Sequence, residues 1–329
     1  MPDAAGVARA LWWTAPNVAE LRGEVLAPPG PGEVWVRTLF SGVSRGTEAL
    51  VAAGRVPESQ WQAMRCPVQQ GEFPFPVKYG YGAVGTVEAG PAELLGRLVF
   101  ALHPHQDRFM LPAEAVVPLP EDVPPQRAVL AANAETALNA LWDAGALPGQ
   151  RIVVMGAGVV GALVAWLAGR LPGAAVTLVD VDPARAAIAT TLGVPFAGAG
   201  DAPGGADLVV EASGAPTALG QALALAGCEA VVLVLGWYGD RAVPLPLGEA
   251  FHSRRLRLVC SQVGKVAPVQ RPRWSRARRL AKALELLADP ALDVLISGES
   301  AFDDAPRDLP RVLAAGAGTL CHRIRYERP

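Results

Sequence analysis

The sequence predicts an α/β protein in which a doubly wound parallel sheet is joined to a β-rich lobe. A β-branched run at 152–154 passes through a glycine turn into an apolar helix and then a second β-branched run at 175–179. Alternating strand and helix patterns continue as far as residue 261. Residues 1–125 instead carry short strand-like runs separated by Pro-Gly turns such as 28–33, which predicts the β-rich lobe.

The individual elements follow in order along the chain. In the first lobe, strands are predicted at 34–39, 81–88, 97–102 and 108–111. A helical stretch at 124–145 leads into the glycine turn. Later helices are predicted at 183–192, 215–226 and 271–288, strands at 208–212, 230–235, 256–261 and 319–326, and a surface loop at 198–205. We expect about six strands in the doubly wound sheet. The sheet domain is predicted to span 126–265, and the β-rich domain 1–125 plus 266–329.

Composition limits the class of partner. Charged residues make up 18% of the 329 residues and the net charge is −2, so the surface offers no general attraction to nucleic acid or to an anionic membrane. The start of the chain shows no secretion signal. An uncharged run at 152–169 contains a glycine turn, which favours a buried strand and helix over a membrane span. We expect small-molecule partners.

The four cysteines favour a reducing compartment. Cys66, Cys228, Cys260 and Cys321 lie far apart and form no CxxC pair. This spacing argues against a disulfide framework or a zinc ribbon. We therefore expect a cytoplasmic protein.

The glycine turn has the spacing of a dinucleotide-binding motif. Gly156 permits a tight turn, Gly158 lets the backbone approach a pyrophosphate, and Gly161 lets the helix pack on the strand. Free N–H groups at the helix start then face the phosphates. Asp180 follows at the end of the second strand, 19 residues past Gly161. The alternative interpretation is a structural βαβ unit that binds nothing.

Six stretches of the chain resemble the medium-chain dehydrogenase/reductase superfamily of the zinc alcohol dehydrogenase type. They lie at 41–48, 78–90, 154–161, 178–185, 209–214 and 234–239. The resemblance covers nearly the whole chain, and it implies a Rossmann domain with a GroES-like catalytic domain. The 41–48 stretch is most similar to the branch that contains bacteriochlorophyllide hydroxyethyl dehydrogenase. The superfamily also implies a homo-oligomer, for which we expect a dimer.

The sequence departs from that superfamily at its zinc ligands. The chain has Ser44 in place of a Cys, Tyr81-Gly82 in place of a His-Glu pair, and Ala132 near the position of a third ligand. The four-Cys loop of the structural zinc is also missing after residue 102. Because zinc needs three or four converging ligands, we expect no zinc in this protein.

A rebuilt metal site is the alternative to a zinc-free protein. Its candidate ligands are His103, His105, Glu48 and Glu135. Pro104 makes it doubtful that the two histidines share one face of a regular strand. We favour histidines in a loop at the mouth of the cleft or on the surface.

Cofactor choice depends mainly on Asp180. A carboxylate at this position accepts hydrogen bonds from the ribose hydroxyls and repels a 2′-phosphate, which favours NAD(H). Arg185 lies close enough in sequence to leave NADP(H) possible. Arg45 is expected either to bind the pyrophosphate or to form a surface or inter-lobe salt bridge. The full predicted cofactor site is Gly156, Gly158, Val159, Val160, Gly161, Asp180, Arg185, Arg45, Ser213, Gly236 and Trp237.

Three residues are the catalytic candidates. The resemblance places Tyr81 and Ser44 at the reaction centre, where either hydroxyl can donate a hydrogen bond to the substrate oxygen. Tyr81 is the first choice, and its alternative is a packing role. Glu135 is a candidate proton shuttle whose alternative is an anchor for Arg45 or a local backbone cap. Glu48 is expected to form an inter-strand or inter-lobe salt bridge.

Two further groups of side chains have open interpretations. Trp237 and Tyr238 follow the fifth strand of the doubly wound sheet, so their rings flank the nicotinamide or a flat substrate, or else seal a subunit contact. The arginine-rich stretch 271–279 is interpreted as a solvated helix face. If it faces the cleft instead, it favours an acidic or phosphorylated substrate.

The expected function is hydride transfer between NAD(H) and a secondary alcohol or ketone, without zinc. We expect the reaction to take place in a cleft between the lobes and the substrate to belong to specialised metabolism. Two alternatives remain: reduction of an enone or quinone, and a nucleotide-binding subunit without catalysis.

Overall fold

The computed structural model describes residues 6–327, and the chain divides into two compact units. The first unit contains residues up to 132 together with 280–289 and the stretch from 296. The second unit contains 133–279 and 290–295. The chain therefore returns to the first unit after it has built the second.

Strands and helices are numbered here along the chain. The strands are β1 Gly6–Ala15, β2 Val18–Leu26, β3 Glu33–Val43, β4 Gln70–Gly71, β5 Val77–Lys78, β6 Ala83–Ala89, β7 Leu98–Ala101, β8 Arg108–Pro112, β9 Val116–Pro118, β10 Arg151–Met155, β11 Ala175–Asp180, β12 Phe196–Gly198, β13 Ala206–Glu211, β14 Ala226–Val234, β15 Arg257–Cys260, β16 Ile296–Ala301 and β17 Cys321–Arg325. The helices are α1 Arg45–Ala52, α2 Pro125–Ala128, α3 Ala131–Ala144, α4 Val159–Ala168, α5 Arg185–Thr191, α6 Pro216–Leu225, α7 Arg276–Leu286 and α8 Ala305–Leu313. None of the helices described within residues 6–327 has the length and hydropathy to cross a membrane.

The second unit is built on a parallel sheet, as the sequence predicts. Its six strands lie in the order β12-β11-β10-β13-β14-β15, and every neighbouring pair is parallel. The central strands are apolar on both faces, so Ile152 and Val154 in β10 and Leu208 in β13 are fully buried. Strand β12 was not predicted, because it has only three residues and ends at Gly198, where the stretch interpreted as a loop begins.

The first unit is β-rich, which confirms the other half of the predicted fold class. One sheet has the order β2-β1-β5-β4, and the other has the order β16-β17-β3-β6-β7-β9, with β8 paired to β3. Strand β3 alternates between buried and half-buried residues and places Val34 and Val36 in the core. Gly85 allows β6 to approach β3 closely, because a Cβ at that position would meet the Arg37 carbonyl oxygen at 2.3 Å.

Several predicted boundaries differ from the structure. The β1–β2 hairpin was missed, because β1 presents the small residues Ala8 and Ala10 to the core and so gives little β-strand signal. Tyr81 was predicted to begin a strand, but it lies in the loop that precedes β6. The predicted helix at 271–288 begins only at Arg276. The residues just before it form turns, in keeping with Pro272, which has no backbone N–H to donate to a helix.

The two histidines at 103 and 105 lie in the loop between β7 and β8 and are buried, not surface residues as the sequence suggested. Only 4% of His103 is exposed. Its ring stacks on Phe109 with centroids 4.0 Å apart, and its Nδ1 lies 2.9 Å from the Pro104 carbonyl oxygen. Burial lowers the pKa of His103 to about 3.

Burial of His103 is expected to make the protein sensitive to acid. Its folded-state pKa lies below the value of about 6.5 in an unfolded chain, so the unfolded state binds the proton first as pH falls. The free energy of unfolding should therefore decrease from about pH 6.5 towards pH 3, by up to about 1.4 kcal/mol per pH unit from this group. Urea unfolding of His103→Asn across this range should show a shallower slope than the wild type. His252→Asn, at an exposed histidine, is the matched control. An unchanged slope in His103→Asn would contradict this account.

Candidate active site

The glycine turn after β10 combines two tightly packed glycines with one that faces open space. Gly156 has a φ of +99°, and a Cβ there would meet the backbone N of Ser213 at 2.6 Å. A Cβ on Gly161 would lie 1.9 Å from the Gly156 carbonyl oxygen. Gly158, which caps α4, has no other heavy atom within 4 Å of a Cβ position. Gly156 and Gly161 therefore close the turn, while Gly158 leaves room for a ligand.

The start of α4 offers N–H groups to that open space. The first-turn amides, from Gly158 through Val159 and Val160 to Gly161, have no acceptor within the helix. The helix dipole adds partial positive charge at the same end. Together with the cradle at Gly158, these amides fit the pyrophosphate of a dinucleotide.

Asp180 at the end of β11 holds the glycine turn in place. Its Oδ2 accepts a hydrogen bond from the Ala157 N–H at 2.6 Å, and its Oδ1 accepts one from Asp182 N–H at 2.9 Å. Each carboxylate oxygen has a second acceptor position, which suits the ribose hydroxyls of an adenosine. Arg185 forms an ion pair with Asp182 at 3.4 Å. Asp180 is thus connected to the glycine turn through Ala157 and to Arg185 through Asp182. These contacts lie at one end of the parallel sheet.

Glu211, which the sequence analysis did not single out, organises the next two loops. It is fully buried at the end of β13. Its Oε1 accepts the N–H groups of Ser213 at 2.8 Å and Gly214 at 3.1 Å, and also the Ser213 hydroxyl. Its Oε2 accepts the Tyr238 hydroxyl at 2.6 Å. The signal for Glu211 was a charged residue that ends an apolar strand directly before Ala-Ser-Gly.

The loop after β14 lies against these residues. A Cβ on Gly236 would meet Glu211 Oε2 at 2.8 Å, so the loop approaches the carboxylate closely. Trp237 is half-buried beside Gly214. The Tyr238 hydroxyl is committed to Glu211, and that contact together with burial raises the pKa of Tyr238. Ser213, Gly236 and Trp237 thus belong to one pair of adjoining loops in the second unit.

The hydroxyl groups predicted to be catalytic meet in the first unit. Ser44 directly precedes α1, and Tyr81 lies in the loop before β6. The Tyr81 hydroxyl is in hydrogen-bonding contact with the side chains of Ser44 and Thr47. Burial raises the pKa of Tyr81, and the nearby Glu48 adds to the effect. Tyr81 is therefore a neutral phenol near pH 7, with a proton that it can donate.

Two charged residues of α1 have partners within the first unit. Arg45 donates a hydrogen bond from Nη2 to the Ala314 carbonyl oxygen at 3.3 Å. Glu48 is fully buried, and its Oε1 accepts the Ser44 N–H at 2.7 Å. Its Oε2 lies 2.9 Å from His105 Nε2. In place of the expected inter-strand or inter-lobe salt bridge, Glu48 thus has a buried histidine as its partner.

Glu135 occupies a different setting from the one the sequence suggested. It lies on α3 and pairs with Arg279, whose Nε is 2.9 Å from Glu135 Oε1; both side chains are buried. The partner is therefore Arg279 and not Arg45, because Arg279 turns inward while Arg276 and Arg278 remain exposed. Burial raises the pKa of Glu135, and Arg279 opposes that rise. Because removing one member of a buried pair typically costs about 3–5 kcal/mol, we interpret Glu135 as a structural residue.

The described part of the chain, residues 6–327, contains no group of three or more His, Cys, Asp or Glu side chains arranged to hold a metal ion. Of the four predicted ligands only His105 and Glu48 are in contact, since His103 stacks on Phe109 and Glu135 is paired with Arg279.

Solved structures with the same fold are dehydrogenases. A zinc-binding dehydrogenase from Sinorhizobium meliloti 1021, bound to NADP, is 19% identical with a TM-score of 0.77, and the match covers 97% of this chain and 99% of that one. L-idonate 5-dehydrogenase from Escherichia coli is 15% identical with a TM-score of 0.81 over 98% of this chain and 99% of that one. An alcohol dehydrogenase from E. coli CFT073, complexed with NADH, is 15% identical with a TM-score of 0.76. The match covers 98% of this chain and 100% of that one.

The chain thus has the fold of these dehydrogenases, which confirms the predicted fold class. No family model matches the sequence.

The glycine turn yields a test that separates folding from cofactor binding. Gly158→Ala places a methyl group in open space, so its free energy of unfolding should stay within about 1 kcal/mol of the wild type. Its affinity for NADH should fall at least about tenfold, or 1.4 kcal/mol, because the methyl group blocks the approach of the pyrophosphate. Gly161→Ala, which meets the Gly156 carbonyl oxygen, should lose about 1–3 kcal/mol of stability. Fluorescence titration and urea unfolding measure both quantities, and wild-type NADH affinity in Gly158→Ala would be the contrary result.

Proposed function

We propose that this protein is an NAD(H)-dependent oxidoreductase that interconverts a ketone and a secondary alcohol without zinc. The observation that carries the proposal is the glycine turn, in which free amides of α4 and the carboxylate of Asp180 flank open space at Gly158. These groups suit the pyrophosphate and the adenosine ribose of a dinucleotide. Val159, Val160, Arg185, Arg45, Ser213, Gly236 and Trp237 complete the proposed cofactor site.

Asp180 supports NAD(H) over NADP(H). Its carboxylate repels a 2′-phosphate, and the ion pair with Asp182 keeps the nearest cation, Arg185, occupied. The similar proteins do not decide the matter, because the Sinorhizobium protein is bound to NADP and the E. coli CFT073 protein is complexed with NADH. The choice therefore depends on the residues of this chain.

Tyr81 is the proposed proton donor. When bound, the nicotinamide supplies the hydride that adds to the carbonyl carbon of the substrate. The Tyr81 hydroxyl donates a hydrogen bond to the carbonyl oxygen and passes its proton there as the C–O single bond forms. Ser44 and Thr47 orient that hydroxyl. The proton lost by Tyr81 is replaced from water, and in the oxidation direction the same transfers run in reverse.

Reduction of an enone or quinone is the second candidate. The same neutral phenol polarises a conjugated carbonyl, since its raised pKa suits donation better than removal of a proton from an alcohol. Zinc independence is part of either proposal, because Ser44 and Tyr81 are not zinc ligands of the usual type. The homodimer and the cytoplasmic location are proposed from the family resemblance and from the four free cysteines.

Cofactor preference is tested by titrating the purified protein with NADH and NADPH. NADH should bind at least about tenfold tighter, a difference of 1.4 kcal/mol. Asp180→Ser should reduce that preference, because it removes the charge that repels the 2′-phosphate. NADPH binding tenfold tighter in the wild type would overturn the interpretation of Asp180.

The role of Tyr81 is tested with a panel of secondary alcohols, ketones, enones and quinones. Tyr81→Phe should lower kcat/KM by about 10²–10⁴ on whichever substrate is turned over, since it deletes a positioned proton donor. Its NADH affinity should match the wild type, which serves as the control for folding. Unchanged turnover would remove Tyr81 from the mechanism, and product analysis would separate carbonyl reduction from reduction of a C=C bond.

A further inference from the structure

A buried chain of hydrogen bonds lies beside Ser44 and Tyr81 and has no part in the mechanism above. Glu48 Oε2 lies 2.9 Å from His105 Nε2, His105 Nδ1 lies 2.7 Å from Ser41 Oγ, and Ser41 Oγ lies 2.9 Å from the Tyr326 hydroxyl. Glu48, His105 and Ser41 are completely buried and Tyr326 is 5% exposed. The four residues come from α1, β3, the loop before β8 and the residue after β17.

We infer one direction for these hydrogen bonds, starting from the far end. The Tyr326 O–H donates to Ser41 Oγ, 2.9 Å away. Ser41 then directs its own proton to His105 Nδ1. Because Nδ1 accepts, the single proton of a neutral imidazole is on Nε2 and is donated to Glu48. In this series of hydrogen bonds His105 is therefore neutral and Glu48 is ionised.

Both oxygens of that carboxylate are satisfied without a second charge. Oε2 accepts from His105, and Oε1 accepts the Ser44 N–H at 2.7 Å. The titratable groups nearby are Tyr79, Tyr81, Cys66 and Cys321. Burial raises the pKa of the two thiols to about 12, so both are neutral at physiological pH. In this group of side chains Glu48 provides the negative charge.

We propose that His105, Ser41 and Tyr326 are positioning residues that hold Glu48 ionised, and that Glu48 in turn fixes Ser44 and keeps Tyr81 in its protonated, donor form. This inference rests on the proposed function, in which Tyr81 donates to a carbonyl oxygen. It adds a reason why the phenol stays a donor: a fixed anion opposes the loss of its proton. An alkoxide is more basic than a phenolate, so Tyr81 still transfers its proton to the reduced substrate.

A purely structural role for the chain makes a different prediction. A satisfied buried network stabilises the fold and fixes one arrangement of its members. In that case a neutral isostere of Glu48 changes stability and leaves the titration of Tyr81 where it was. The two accounts therefore differ in the pKa of Tyr81, which is measurable without cofactor or substrate.

The tautomer of His105 is the first measurement. The protein contains four histidines, so a sample labelled with ¹⁵N in the imidazole rings gives a spectrum that His105→Gln assigns directly. We expect the single imidazole proton of His105 to be on Nε2. An imidazolium signal, or a proton on Nδ1, would overturn the directed chain.

The titration of the tyrosines is the second measurement. There are four tyrosines, and replacing them by 3-fluorotyrosine lowers the pKa of each phenol and supplies a ¹⁹F signal. Glu48→Gln should lower the pKa of Tyr81 by about 1 or more and leave Tyr238 unchanged. Glu211→Gln is the matched control, because it removes the carboxylate that Tyr238 contacts, and it should move Tyr238 and leave Tyr81 unchanged.

A second variant covers the case in which Glu48→Gln does not fold. Ser41→Ala removes the hydroxyl that donates to Nδ1, so His105 is free to bind a second proton and neutralise the charge of Glu48. The pKa of Tyr81 should then fall as it does in Glu48→Gln. A Tyr81 pKa that stays at the wild-type value in either folded variant would sink the proposal.

These measurements also separate this inference from the proposed function. All of them use the full chain without cofactor. A wild-type protein that binds no NADH or turns over no substrate would contradict the proposed function. The tautomer of His105, and the titrations of Tyr81 and Tyr238 in the two glutamine variants, would still decide the role of Glu48.

Discussion

The approach of Gly161 to the carbonyl oxygen of Gly156 is the constraint on which the glycine turn of the second unit depends. A side chain at either glycine would collide with backbone at 1.9 to 2.6 Å, so α4 packs on β10 only with hydrogen at both positions. That contact aims the first amides of α4 at the open space beside Gly158. Asp180 then fixes the turn from the neighbouring strand through the Ala157 N–H. The site is thus built from backbone held by one carboxylate.

Carboxylates that anchor their own loops recur throughout the chain. Asp180 at the end of β11 and Glu211 at the end of β13 accept N–H groups from the residues that follow them. Glu48 accepts the Ser44 N–H at the start of α1. Each carboxylate also bonds a second segment, as Glu211 does with Tyr238 and Glu48 with His105. These acids stabilise loops that carry the proposed function. Glu48 and Glu211 are fully buried, and donors on both of their oxygens balance that burial.

The sequence predicted the βαβ unit around the glycine turn well, because that unit is local. The glycines, the acid at the end of β11 and the β/α alternation all lie within one βαβ unit, whose geometry follows from spacing and hydrophobic periodicity. Partners distant in sequence were predicted poorly. The Arg279 partner of Glu135 is 144 residues away, and the Tyr326 partner of Ser41 is 285 residues away. A single sequence offers no physical signal for such pairs, since each side chain is compatible with many partners.

The sequence by itself determined the fold class and the position of the glycine turn, because residue type and spacing decide those features. The resemblance to the superfamily, and not spacing, named Ser44 and Tyr81 together as hydroxyl candidates. Only the tertiary structure decided which charges are buried. It turned Arg279 inward from a basic stretch and enclosed His103 and His105, although Pro104 suggested an exposed loop. It also joined Glu48 to His105. The reason is that burial and pairing depend on which segments meet, and these segments lie far apart in the sequence.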